Sequence, residues 1–224
     1  MDKNTSKVSY MQYHGRIFSI AVVILFNIIR YYYYHQYLEL PFRWNFFLLT
    51  FIFLTIAWWC GKQFDYAKYY SERDPLTNTY NRRTLERNFN KISKKFVGEG
   101  YSLGVIMLDL NNFKEVNDQY GHQKGDELLI LIASKLTNFV KKNDLVARWG
   151  GDEFVILVSN ITEEFGTDYT QNLLKNIKEH NPSEFTSIGA SIGYAVYPRD
   201  GDNLQKLIQI ADSGMYKEKR YSVK

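Results

Sequence analysis

The stretch Arg148-Trp149-Gly150-Gly151-Asp152-Glu153-Phe154 decides the reading of this chain. Leu145-Val146-Ala147 precedes it and Phe154-Val155-Ile156-Leu157-Val158 follows, two apolar strand-like runs. Gly-Gly between such runs predicts a tight hairpin turn, because glycine accepts the positive φ that the turn demands. The turn would lift Asp152 and Glu153 to a stiff tip. Carboxylates held there, beside bare glycine backbone, suit a divalent metal gripping a polyphosphate. The same residues taken alone also fit a solvated acidic turn, so the surrounding chain must decide.

Outward from the hairpin, Leu103 to Leu110 reads as a buried strand, and Asp109 stands near its end. If that strand neighbours the hairpin, Asp109 meets Asp152 across the sheet. Two carboxylates and a strand-end carbonyl make a hard oxygen site, suited to Mg²⁺ or Mn²⁺ carrying a nucleoside triphosphate. Read alone, Asp109 fits a strand cap more often than a ligand; read with Asp152, the ligand is favoured. The proline of Asp74-Pro75-Leu76-Thr77 stops an upstream helix. Helices are expected from Arg82 to Phe96, from Gly125 to Val140, between Glu163 and His180, and from Asn203 to Lys219, with a strand from Ser187 to Tyr197. Helix, strand, helix, hairpin, helix, strand, helix predicts an α+β domain with helices flanking a mostly antiparallel sheet.

The 224 residues allow one ordinary domain plus extra elements. A net charge of +4, with no Lys/Arg stripe interleaved with aromatics, argues against a nucleic acid polymer as partner. The lone Cys60 excludes an intrachain disulfide and fits a reducing compartment. Much of the aromatic content lies before residue 70. Ile17 to Ile29 is apolar except for Ser19 and Asn27, and Arg30 and Tyr31 to Tyr34 follow. The apolar part alone would span about 20 Å as a helix, and an interfacial tyrosine belt extends it. Trp44 to Cys60 carries no charge and has tryptophans at both ends. Together they predict a membrane hairpin over 17–60, after a cytoplasmic tail 1–16 and before a linker helix 61–73. Lys3, Lys7 and Arg16 before the first span, and Lys62, Lys68 and Arg73 after the second, place both termini in the cytoplasm. The outer loop, Tyr31 to Arg43, is too small for a ligand-binding domain of its own.

Gly150-Gly151-Asp152-Glu153-Phe154 matches, letter for letter, the signature of the GGDEF family of bacterial diguanylate cyclases, which condense two GTP into cyclic di-GMP. The chain resembles that family from Asp74 to about Lys219, which implies a cyclase domain over 74–224. The resemblance implies a ferredoxin-like core similar to adenylyl cyclase and polymerase palm domains. It implies that Asp109, the Leu110 carbonyl and Asp152 ligate metal, two ions per active site, and that Asp152, Glu153 and Lys114 are catalytic. It implies that Asn117 and Asp126 bind the guanine edge, with His122, Gly150, Gly151 and Lys219 also against GTP. Asn117, Gly121 and Gly125 also fit plain loop chemistry, and Asp126 a helix cap. A homodimer follows from the reaction, since each domain holds one GTP.

Three stretches depart from the family pattern. Lys141-Lys142-Asn143-Asp144 stands where product-inhibited members carry Arg-x-x-Asp, and lysine lacks the planar guanidinium fork. Lys141 and Asp144 are thus expected to form a degenerate inhibitory site. Ser222-Val223-Lys224 replaces the usual Gly-Arg-Asn, which weakens triphosphate binding unless Arg220 or Lys224 substitutes. Asn78 and Thr79 replace Gly and Leu in the opening motif, and Asn tolerates a left-handed conformation. Asn111 stands where the family often has a second aspartate. A catalytically silent GTP- or cyclic di-GMP-binding module is the main alternative, and another nucleotidyl transferase on the same core a third. No companion hydrolase domain is expected.

Overall fold

The computed structural model describes residues 13–41, 43–99, 102–159, 163–179 and 188–222. The chain divides into two compact units, Met1–Ser71 and Glu72–Lys224.

In the first unit, helix α1 (His14–Tyr31) continues as a π-helical segment, Tyr32–Tyr37. The expected outer loop is therefore shorter than Tyr31 to Arg43. The tyrosines stay helical because rings four apart support each other: Tyr33 and Tyr37 stack at 5.8 Å. Helix α2 (Trp44–Glu72) is one run of 29 residues and contains most of the predicted linker. The helices touch where side chains are smallest. A methyl on Gly61 would meet the Arg16 Cα at 2.6 Å, so the two backbones approach as only glycine permits. Arg16 Nε lies 3.2 Å from Asp65 Oδ2, and that carboxylate's Oδ1 accepts from the Gly15 N–H at 2.7 Å. At the other end Arg30 Nη2 donates to the Phe46 carbonyl (2.8 Å) and to Thr50 Oγ1 (2.7 Å). Thr50 in turn donates to Asn27 Oδ1 at 2.7 Å.

The second unit is built on a five-stranded sheet in the order β1-β3-β4-β2-β5. Its elements are β1 (Tyr80–Asn81), α3 (Arg82–Glu99), β2 (Leu103–Leu110), α4 (Phe113–Tyr120), α5 (His122–Phe139), β3 (Leu145–Arg148), β4 (Glu153–Ser159), α6 (Glu163–Lys178), β5 (Ala190–Tyr197) and α7 (Leu204–Ser222). From β2 to β5 the pairing is antiparallel throughout, with β2 between β4 and β5. That is a ferredoxin-like arrangement. The sheet as a whole is mixed, not purely antiparallel, because the short edge strand β1 pairs parallel to β3.

Both faces of the sheet are covered, so its central strands read as continuous apolar runs. Side chains alternate along β2: Ile106, Leu108 and Leu110 face α5 and α6, with Leu128, Ile132, Leu173 and Ile177. Val105 and Met107 face α3 and α7, with Leu85, Phe89, Leu207 and Ala211. Leu108 is fully buried, and its truncation to alanine would cost about 2–5 kcal/mol.

Two elements escaped the sequence reading. Helix α4 is a short, largely exposed helix. Asn112 at φ +59° enters it, and Gly121 at φ +84° leaves it for α5. Helix α5 thus begins at His122, not Gly125. Strand β1 is two residues long and carries no pattern of its own. The start expected for β5, Ser187, and the end expected for α6, His180, lie outside the described residues.

Candidate functional site

The strand register brings the acids together. Asp109 lies directly opposite Glu153, not Asp152, and the Leu110 N–H donates to the Asp152 carbonyl at 3.3 Å. Asp109 alternates with Leu108 and Leu110, so it belongs to the face of β2 that carries α3 and α7. Glu153 belongs to the same face of β4. Burial pushes the Glu153 carboxyl above its usual range. The charges of Asp109, Asp152 and Asp212 push the same way, and Arg82 partly offsets them. Like charges gathered on one rim favour a cation between them. Among the described residues no three His, Cys, Asp or Glu side chains form a metal cage. The donor set expected from the sequence is two carboxylates and a carbonyl, and β2 and the hairpin bring Asp109, Leu110 and Asp152 to one end of the sheet.

The hairpin tip does not work as the sequence suggested. Neither Gly150 nor Gly151 adopts a positive φ. Four residues, Trp149 to Asp152, join β3 to β4, and the Trp149 N–H closes the loop onto the Glu153 carbonyl at 2.8 Å. A longer loop turns without left-handed residues. At Gly150 an added Cβ would lie 2.5 Å from Glu153 Oε2, the far end of a flexible side chain that would have to shift. At Gly151 an added Cβ would meet nothing within 4 Å. The loop is held by Arg148, whose Nη2 and Nε donate to the Gly151 carbonyl at 2.7 and 3.1 Å.

Arg148 also reaches the opening motif. Its Nη1 lies 3.3 Å from Asp74 Oδ1, which accepts from the Thr77 N–H (2.8 Å) and hydroxyl (2.7 Å). Burial opposes ionisation of Asp74, but the Thr77 hydrogen bonds and Arg148 outweigh it and hold the carboxyl below its usual range. Asn78 takes the expected left-handed conformation at φ +58°. Arg82 lies over the Trp149 ring at 4.2 Å from its centroid.

The remaining expected residues sit on the helix pair beyond β2. Lys114 and Asn117 lie on α4, and His122 and Asp126 on α5, with Lys114, His122 and Asp126 exposed. The α4–α5 corner packs closely, since a methyl at Gly125 would overlap the Asn117 carboxamide. Asn111 joins β2 to β5, accepting from Ser191 Oγ at 2.8 Å, so this position braces strands here. Lys219 lies within α7, but its side chain is outside the described residues, as are Val223 and Lys224. Asp144 is buried. Its Oδ2 accepts from the Lys141 N–H and its Oδ1 from the Ser159 N–H, both at 3.0 Å. Sequence reading missed Arg148, Arg82 and Asp212 as members of the site. Arg148 stands inside the signature stretch, and Arg82 and Asp212 stand in the opening motif and the closing helix, but no local pattern gives any of them a role.

Comparisons with known proteins agree with this arrangement. The family model of the diguanylate cyclase GGDEF domain matches residues 71–223. Bifunctional diguanylate cyclase/cyclic di-GMP phosphodiesterase MucR of Pseudomonas aeruginosa is 36% identical over 150 residues, covering 65% of this chain and 22% of its own. Diguanylate cyclase VdcA of Vibrio cholerae is 29% identical over 152 residues, covering 65% of this chain and 43% of its own. The crystal structure of a sensory box/GGDEF family protein from Caulobacter crescentus CB15 superposes with a TM-score of 0.62. It is 32% identical and covers 67% of this chain and 99% of that one. The chain spans about a fifth of the length of several curated relatives it matches. With the family model covering well over half of the sequence, the chain belongs to the GGDEF diguanylate cyclase family.

Proposed function

We propose that this protein is a membrane-anchored diguanylate cyclase, active as a homodimer, that converts two GTP into cyclic di-GMP and two pyrophosphates. The observation that carries the reading is the register of β2 on β4, which sets Asp109 opposite Glu153 and beside Asp152 with every letter of the signature intact. Asp109, the Leu110 carbonyl and Asp152 would hold two Mg²⁺ or Mn²⁺ ions, hard oxygen donors for hard cations. When bound, the metal supplies charge stabilisation at the phosphate oxygens.

The chain's own residues do the rest. Gly151, where an added Cβ would meet nothing within 4 Å, lets the triphosphate approach the loop backbone. Asn117 and Asp126 face the guanine edge, where a carboxylate accepts from N1–H and the amino group. His122 lies beside the nucleotide. Lys114 and Lys219 offset phosphate charge as the 3′-oxygen of one GTP attacks the α-phosphorus of the other. Asp152 receives the hydroxyl proton, and Glu153 supports it. A second transfer, with donor and acceptor exchanged, closes the ring, so two domains must face each other.

The helices over His14–Tyr37 and Trp44–Glu72 are long and apolar enough to cross a membrane. They expose large apolar side chains, such as Phe18, Phe51 and Trp44, that a lipid environment would cover. We read 17–60 as the anchor, 61–73 as the linker and 74–224 as the cyclase, with both termini in the cytoplasm. A reporter fused after Gly61 should be active only on the cytoplasmic side.

The deciding experiment incubates the full-length protein in lipid nanodiscs with GTP and Mg²⁺, beside Asp152→Ala. Cyclic di-GMP from the wild type alone is expected. GTP binding with no product would overturn the cyclase and leave a silent nucleotide-binding module.

A further inference from the structure

The end of the helical hairpin carries a cavity that the cyclase chemistry does not use. Its volume is about 310 Å³, and Arg30, Tyr34, His35, Arg43, Phe46 and Leu49 are among its walls. Arg30 comes from α1, Tyr34 and His35 from the π-helical segment, Arg43 from the connection, and Phe46 and Leu49 from α2. All lie within the first unit.

Its electrostatics are one-sided. Arg30 is fixed by the Phe46 carbonyl and Thr50, and its guanidinium carbon lies 4.0 Å from the Phe46 ring centroid. None of these neighbours neutralises it, and its buried Nε has no acceptor. Neither Arg30 nor Arg43 forms an ion pair among the described residues. Between Asp2 and Asp65 the sequence offers one acid, Glu39. Two guanidiniums without a carboxylate, on one small cavity with aromatic and aliphatic walls, lack a counter-charge. The planar fork of arginine matches carboxylate and phosphate oxygens. The walls favour an apolar body, and the volume admits about ten waters' worth of it.

We propose that this cavity binds an oxyanion, a carboxylate or phosphate, borne on a small apolar body, with Arg30 and Arg43 as its counter-charges. Such chemistry could come from a free organic anion or from the headgroup of an anionic lipid. The site goes beyond the cyclase reading, and it rests on the membrane reading only for the lipid source.

The test titrates phenyl phosphate into full-length protein in phosphatidylcholine nanodiscs by calorimetry, with inorganic phosphate and phenol as controls. Saturable binding of phenyl phosphate is expected. Phosphate should bind more weakly, phenol should not bind, and Arg43→Gln should lose at least tenfold in affinity. Arg43 is exposed and forms no side-chain hydrogen bond or ion pair among the described residues, so unchanged helicity in that variant removes misfolding as an explanation. Arg30→Gln is the second variant. In parallel, nanodiscs containing phosphatidylglycerol are examined by native mass spectrometry. Phosphatidylglycerol retained by the wild type but not by Arg43→Gln, and competing with phenyl phosphate, assigns the lipid source; phenyl phosphate binding without competition assigns the free anion. Equal behaviour of wild type and both variants in every arm overturns the site. A protein that stays soluble without lipid defeats the membrane reading alone, and the calorimetric arm then runs in buffer.

Discussion

Arg148 bridges Asp74 and the Gly151 carbonyl, so the Asp74-Pro75-Leu76-Thr77 motif and the loop that carries the signature share one guanidinium. Asp74 follows the end of α2 by two residues, and Gly151 lies in the loop that joins β3 to β4. The opening motif and the loop are thus joined by a charge-assisted contact.

Removing that bridge should cost more activity than stability. Arg148→Ala releases the Gly151 carbonyl and should lower kcat at least tenfold, with Tm down by about 2–4 °C. Asp74 carries its own pH signature. Its carboxyl lies below the ordinary aspartate value of 3.8, so the folded state favours the ionised form. That stability is fully present above this value and is lost as pH falls through the lower folded one. The Tm gap between wild type and Asp74→Asn should be open at pH 7 and close below about pH 4. A gap independent of pH would assign the effect to packing instead.

Glu153 has the opposite sign. Its carboxyl is raised above the ordinary glutamate value of 4.5, so the folded state holds the proton more tightly than the unfolded one. Stability is full below that value and falls as pH rises through the folded one. In metal-free protein Glu153→Gln should melt above the wild type at pH 7 and level with it near pH 4. Melting curves in EDTA at the two pH values decide this. A lower-melting variant at pH 7 would mean that the carboxylate is fully compensated.

The two signature glycines should part company. At Gly150 a methyl meets Glu153 Oε2 at 2.5 Å, the end of a flexible side chain, so Gly150→Ala folds with Glu153 displaced. At Gly151 nothing lies within 4 Å, so Gly151→Ala should keep the wild-type Tm within about 1 °C. If the triphosphate approaches the loop backbone as proposed, its loss should appear in KM for GTP. Equal loss of Tm in both variants would contradict this division.

These cases show where sequence reading succeeds. Strand β2 was legible to the residue because a strand covered on both faces has to be apolar at every position, and Asp109 then stands out as an exception. Asn78 was legible because few residues accept a positive φ. Helix α4 was not, because eight half-exposed residues carry too few apolar positions to set a period. The partnership of Arg148 with Asp74 spans 74 residues, a separation that no local pattern encodes. The glycines are expected for a positive φ that neither adopts: at 150 an added Cβ would crowd Glu153, and at 151 it would meet nothing within 4 Å. The acids of the signature were legible as a group, but their order on the sheet depends on register, which sets Glu153 rather than Asp152 opposite Asp109.

Lys141 and Asp144, expected from the sequence to form a degenerate inhibitory site, offer the last test. Both Asp144 oxygens are occupied by backbone N–H groups, of Lys141 and of Ser159, which stitch the loop before β3 to the end of β4. Asp144 is thus a structural residue whatever it does for a ligand, and Asp144→Ala should cost about 2 kcal/mol. Lys141 contributes its backbone to that stitch, so Lys141→Ala should leave stability within about 0.5 kcal/mol. The exposed lysine side chain offers charge without a fork, so product inhibition of the wild type should be weak. Lys141→Arg restores the fork on a loop already held in place and should lower the inhibitory concentration of cyclic di-GMP at least tenfold. Initial rates across a cyclic di-GMP series measure this for the three forms. Tight inhibition of the wild type that vanishes in Lys141→Ala would show instead that a point charge suffices at this site.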